Sequence, residues 1–286
     1  MYLSIINVLK DGVIMDRLDI LNKLQELRKK GVFTPTDEMI KSLEEIEGIR
    51  QASIVNTKVL DAVADMIREG VSTYEIDKVV YDTTIALGGK PATLGYEGFP
   101  SSCCTSINDQ VCHGIPSKDD ILKVGDIVNV DCVTEYNGYY GDSSRMFIIG
   151  ETSFKNQRLV RVAKECLDKA FESIKPWEST LGDIGYIISK HAKNNGFSIV
   201  LEVGGHGVGL KMHEEPFVCH VGKKGTDMLI VPGMVFTIEP MVNAGRRNVF
   251  LDASNDWTIY TEDGSNSAQW EYTIAVFEDH AEILSK

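Results

Sequence analysis

Four carboxylates and one imidazole stand in short, chemically odd stretches of this 286-residue chain: Asp131, Asp142, His206, Glu239 and Glu271. Each stretch reads as strand, where a charge must be paired, solvated or bound to a cation. A carboxylate-rich set with a single His suits two hard or borderline divalent ions sharing bridging oxygens, more than one structural zinc. The chemistry indicated is metal-assisted hydrolysis.

Asp131 closes the run Ile127-Val128-Asn129-Val130, an apolar setting for a central strand. Asn137-Gly138 between two strand-like runs signals a two-residue hairpin loop. In that register Asp131 faces Ser144, and Asp142 is its diagonal neighbour on the same face. Two carboxylates so placed repel unless a cation lies between them; the alternative is a solvated outer face. His206 lies among the four glycines of GGHGVG, where backbone can approach a ligand and the ring stays accessible. His213 opens His213-Glu214-Glu215-Pro216 and alone is as well read as a surface group. Glu239 in VFTIEP and Glu271 in QWEYTIAVF have no basic residue on their own strands, so a buried ion pair within the strand is not available. Either could also take a proton from water. His113 sits in a loop-like break and spacing does not place it near the others. Tyr96, Phe99, Cys103 and Cys104 read as core or as an apolar pocket lined with polarizable sulfur.

The elements that must position these groups follow from periodicity and caps. Leu18, Leu21, Leu24 and Leu27 predict a helix from Asp16 to Lys30 that ends at Gly31, either packed on the main body or serving as a docking arm. Ser42 with Glu45 and Ser72 with Glu75 are capping boxes; the first opens a long helix toward Gly70. LDAVADMIREGVST at 60–73 matches LDKAFESIKPWEST at 167–180, pairing Leu60 with Leu167, Ser72 with Ser179 and Thr73 with Thr180. Each copy reads as helix, turn and second helix, followed by strands that carry the unusual polar residues. The expected architecture is therefore two α+β halves enclosing a site.

Lys+Arg 29 against Asp+Glu 42 gives −13, which argues against nucleic acid or an anionic membrane as a general partner. The acidity fits attraction of a cationic ligand such as a peptide amino terminus, and equally plain solubility. No apolar run reaches the roughly 18 residues of a membrane span. The opening MYLSIINVLKDG has no basic residue before its apolar run, so no secretory signal is expected. Six cysteines without a C-x-x-C pair read as reduced thiols of a cytoplasmic protein.

From Ser42 onward the chain resembles the type I, bacterial-style methionine aminopeptidases. The likeness is carried by GYEGFPSSCCTSIND, VCHGIP, GDIVNVDC, YYGDSSRMF, GGHGVGLKMHEEPFV, FTIEPMVNAG and SAQWEYT. The resemblance implies the pita-bread α/β (α+β) fold, with a catalytic domain at 42–286, halves near 42–150 and 151–286, and residues 1–41 as an amino-terminal extension. It implies two divalent ions (Co, Mn, Fe or Zn): Asp131, Asp142 and Glu271 on one, and Asp142, His206, Glu239 and Glu271 on the other. It further implies that His113 and His213 contact substrate and the developing oxyanion, and that Glu239 accepts the proton of the attacking water. Tyr96, Phe99, Cys104 and Trp257 match positions shaping a methionine pocket. The implied partners are amino termini of nascent polypeptides, with ribosome contact left open and a monomer expected. Phe99, Trp270 and Tyr272 depart from residues common in relatives, where Tyr, Tyr and His often stand. An Xaa-Pro aminopeptidase or prolidase of the same fold needs a further amino-terminal domain that forty residues cannot supply. A non-catalytic binding protein of this fold would have lost ligands, and all five are present.

Overall fold

The structure, a computed structural model, describes residues 16–286; the opening MYLSIINVLKDG lies outside them. The predicted amino-terminal helix is α1 (Arg17–Lys29), and Gly31 leaves it at φ 80°. It buries Ile20 and Leu24, with Leu21 and Leu27 half-packed, while Leu18 is exposed. The three-residue leucine series drifts around a 3.6-residue helix, so the buried stripe follows Ile20, Leu24 and Leu27 instead. Burying Leu24 stabilises the fold by about 2 kcal/mol. Of the two readings of this helix, packing on the main body is the one observed.

Two helix pairs form the outer layers: α2 (Leu43–Met66) with α3 (Thr73–Ala86), and α4 (Phe154–Glu172) with α5 (Leu181–Asn194). Ser42 and Ser72 cap α2 and α3 in reciprocal boxes with Glu45 and Glu75, and Thr180 with Asp183 does the same for α5. The pairs are related by more than sequence. Thr73 N–H donates to Asp120 O and Leu122 N–H to Val71 O; Leu181 N–H donates to Met228 O and Ile230 N–H to Ser179 O. The structural counterpart of Ser72 is thus Thr180, one residue beyond the sequence match with Ser179. The turn from α4 to α5 is longer than that from α2 to α3, which accounts for the slip.

The strands form four small sheets. One joins β1 (Lys90–Pro91), β2 (Cys104–Ile107), β4 (Ile127–Tyr136) and β5 (Tyr139–Ile148). A second joins β3 (Gln110–Cys112), β11 (Val249–Leu251) and β12 (Ile259–Thr261). A third joins β6 (Ser198–Ile199), β10 (Met241–Asn243) and β13 (Ser267–Gln269). The last joins β7 (Gly205–Gly207), β8 (Glu214–Val218), β9 (Val235–Ile238), β14 (Tyr272–Val276) and β15 (Ala281–Ser285). One apolar core lies under α4 and α5 and takes in Leu24, Ile40 and Phe236; another lies between α2, α3 and β4. Among the described residues no helix is long and apolar enough to cross a membrane.

Candidate active site

The first two carboxylates come from one hairpin. β4 and β5 pair from Tyr136 opposite Tyr139 outward, so Asp131 faces Ser144 and Asp142 faces Val133. Residues two apart on β5 share a face, so Asp142 and Asp131 lie on the same side of the ladder, as the Asn-Gly loop required. β2 adds Cys104 opposite Asp131. Alternation then sends Cys103 to the other face, where it joins the core with Cys132. Of the sulfur pair only Cys104 is on the carboxylate side.

Glu239 and Glu271 stand in breaks rather than inside strands. Met241 pairs with Gln269 across β10 and β13, and Ile238 with Tyr272 across β9 and β14. One continuous register puts Glu239 opposite Glu271 at the point where the chain passes from one sheet to the next. Pro240 has no N–H to give to a ladder, so pairing lapses there and both carboxylates leave the pleat together. Thr237 Oγ1 donates to Glu239 Oε1 (2.9 Å) and accepts from His206 N–H (3.0 Å), and Gln269 Nε2 donates to Glu239 Oε2 (3.1 Å).

His206 lies on β7 between glycines that serve its neighbours more than a ligand. A Cβ on Gly205 would stand 2.3 Å from Thr237 O, and one on Gly207 would stand 2.1 Å from Glu215 O. Only glycine lets β7 approach the flanking backbone so closely. His206 Nδ1 lies 2.9 Å from Gly207 O, and a carbonyl can only accept. The ring proton therefore sits on Nδ1, leaving the Nε2 lone pair toward Asp142 Oδ2 (3.7 Å) and Glu239 Oε1 (3.6 Å).

Ligand-type atoms of Asp142, His206 and Glu271 all fall within 4.8 Å of one another. Asp131 joins them on the hairpin face. Among the described residues no lysine or arginine pairs with any of the four carboxylates, and Glu271 Oε2 is buried without a hydrogen-bond partner. Burial lifts the Asp131 carboxyl to about 7. Burial, and then the charges of its neighbours, pushes Asp142, Glu239 and Glu271 well above the carboxylate range. For Glu239 the hydrogen bond from Thr237 works the other way. Three buried carboxylates and the half-buried Asp131, mutually repelling, beside a correctly protonated imidazole are what divalent cations need, so the residues fit metal.

The remaining predicted residues form a wall beside this cluster. His213 Nδ1 is 2.8 Å from the Tyr96 hydroxyl, and its ring meets that of His206 edge-on at 4.3 Å. Phe99 is buried against Trp257 at 5.1 Å, and His113 faces the same indole at 6.3 Å. His113 takes a left-handed φ of 56° directly after β3, a conformation uncommon for a residue with a Cβ. Burial, and then the nearby His213, holds His113 and His206 down to about 4, so both are neutral at pH 7. Trp270 and Tyr272 turn away from this wall. Trp270 Nε1 donates to Val160 O (3.2 Å), and the Tyr272 hydroxyl meets Asp168 (3.0 Å) and Lys164, all on α4.

Three polar residues of the site escaped the sequence reading: Thr237, Gln269 and His220. The first two stand two positions before Glu239 and Glu271, as Asn129 stands before Asp131, so strand alternation was a signal for them. His220 is buried, accepts Glu239 N–H at Nε2 (3.2 Å) and is pushed by burial to about 3; no spacing announces it.

A cation-ready acidic cluster at the meeting of two pseudo-symmetric halves defines the class as a pita-bread hydrolase. The model of metallopeptidase family M24 matches residues 47–278. Methionine aminopeptidase A of Synechocystis sp. is 46% identical over 245 residues, covering 85% of this chain and 96% of its own. The crystal structure of methionine aminopeptidase from Rickettsia prowazekii superposes with a TM-score of 0.84 at 39% identity, over 86% of this chain and 99% of that one. The prolidase from Pyrococcus horikoshii OT3 reaches 0.70 at 24% identity over 87% of this chain and 63% of its own, a likeness of fold alone. The chain belongs to metallopeptidase family M24, in its methionine aminopeptidase branch. Membership implies use of divalent metal.

Proposed function

We propose that this protein removes amino-terminal methionine from peptides and nascent proteins whose second residue is small, working with two divalent ions. The observation that carries the reading is the meeting of the ligand atoms of Asp142, His206 and Glu271, with Glu239 beside His206 and the half-buried Asp131 on the same hairpin face as Asp142, without a compensating lysine or arginine among the described residues. Asp131, Asp142 and Glu271 would hold one ion, and Asp142, His206, Glu239 and Glu271 the other, with Asp142 and Glu271 shared; Mn, Fe, Co and Zn all suit this donor set. When bound, such ions lend Lewis acidity to the scissile carbonyl and to water.

The chain's own groups do the rest. Glu239, gripped by Thr237 and Gln269, takes the proton of the attacking water. His113 and His213 contact the substrate amide and meet the charge that develops on its oxygen. Phe99, Trp257, Tyr96 and Cys104 wall the methionine side chain. The catalytic unit spans 42–286 with residues 1–41 as an extension, and the protein acts as a cytoplasmic monomer on chains emerging from the ribosome. The Xaa-Pro reading is less well supported, because its likeness is confined to the fold.

The test is release of free methionine from Met-Ala-Ser by protein purified without added metal and then supplied anaerobically with Mn, Fe or Co. No release with any of the three ions overturns the proposal. Release only from Xaa-Pro peptides transfers it to the prolidase type.

A further inference from the structure

A second arrangement of charges lies just outside the site. The Lys41 side chain is 1% exposed, deeper than a lysine ordinarily goes, and its Nζ donates to Glu214 Oε2 at 2.7 Å. The other oxygen of Glu214 accepts the N–H groups of Leu210 (2.7 Å) and Lys211 (2.9 Å). One carboxylate thus closes the loop 210–214 on itself and ties it to a distant segment. Lys41 is fixed in turn by its own N–H on Gly233 O (2.8 Å) and by the fully buried Ile40 beside it. Between the loop amides and Glu214 stand the buried Met212 and then His213, whose ring meets both His206 and Tyr96.

We infer that Lys41 is a positioning residue: through Glu214 it sets the loop 210–213 and thereby holds His213 at the substrate. The chemistry supports a positioning part. A buried ammonium is worth little to net stability, since desolvation offsets most of its attraction. What it supplies is a fixed point: without it the Glu214 carboxylate is drawn to water and Leu210 and Lys211 lose their acceptor. Leu210 is exposed; elsewhere in the loop Gly209 N–H bonds to Lys211 O (3.0 Å) and Met212 is buried. The inference rests on the proposed reading only in taking His213 to touch substrate; the effect on the loop stands apart from it.

The experiment uses the full chain with K41M, with K41Q as the variant that keeps a donor should K41M not fold, and with K41R to restore the charge. Amide hydrogen exchange is read first. Exchange at Leu210 and Lys211 is expected to quicken by about tenfold or more in K41M and K41Q, while amides of α4 keep their protection. With Met-Ala-Ser and Mn, kcat is expected to fall by about tenfold to a hundredfold, since a displacement of about 1 Å can have that effect, with KM far less changed. K41R should restore most of both. Unchanged loop exchange overturns the inference, and so does exchange that quickens equally across α4. If the wild type itself releases no methionine, the proposed function fails, and the exchange result still decides the role of Lys41 in the loop.

Discussion

Replacing Asp131 with Asn removes a charge from a cluster that repels itself until cations arrive. Burial lifts the carboxyl of the metal-free protein from 3.8 to about 7. The folded-state value lies above the unfolded one, so the folded state binds the proton more tightly. Stability from this group is therefore fully present below about pH 3.8 and is lost as pH rises to about 7. At about 1.4 kcal/mol per unit, the gap amounts to about 4 kcal/mol above neutrality. Asn has no proton to lose, so metal-free D131N is expected to be more stable than wild type at about pH 8 by about 4 kcal/mol. At about 2 °C per kcal/mol that is about 8 °C in Tm. Near pH 4.5 the advantage should shrink to about 1 kcal/mol. The neutral rings of His113, His206 and His220 are common to both proteins and cancel in the difference. Thermal unfolding of chelator-treated protein at both pH values measures it. Adding Mn should reverse the order, because a ligand that binds the folded state stabilises it more the tighter it binds, and wild type keeps the full donor set. A D131N that melts at or below wild type at high pH, or an offset indifferent to pH, refutes the reasoning.

Three further outcomes follow from packing and hydrogen bonding. G205A places a Cβ 2.3 Å from Thr237 O; β7 and β9 must part, so metal affinity measured by calorimetry and Tm should fall together. T237V removes the hydroxyl shared by Glu239 and the His206 amide; kcat is expected to drop about tenfold to a hundredfold, and a rate within twofold of wild type would remove Thr237 from the site. L24A empties a fully buried position under α1 and should lower stability by about 2–5 kcal/mol in denaturant titration, leaving kcat per folded molecule unchanged.

Much of the site was legible because strand geometry is local. The Asn137-Gly138 loop fixes the β4–β5 register, and the register alone brings Asp131 and Asp142 to one face. The capping boxes likewise locate the starts of α2 and α3 within a residue, since a cap is made by residues three apart. The leucine series of α1 was less reliable: which side of a helix is buried depends on what it meets, and α1 meets the core through Ile20 and Leu24.

What the chain by itself determined is the inventory and the local pairing: five ligand-type side chains in short strand-like stretches, two capped helix pairs, and one hairpin with its facing residues. Only tertiary structure decided the rest. Glu239 and Glu271 meet across a break made where Pro240 interrupts pairing between two sheets. The glycines around His206 answer to backbone carbonyls on Thr237 and Glu215, and Lys41 reaches Glu214 from a segment 173 residues away in sequence. The reason is physical. Hydrogen bonds within a turn or hairpin are dictated by neighbours in the chain, whereas buried charge is settled by whichever partners the whole fold brings near, and those partners are set by packing.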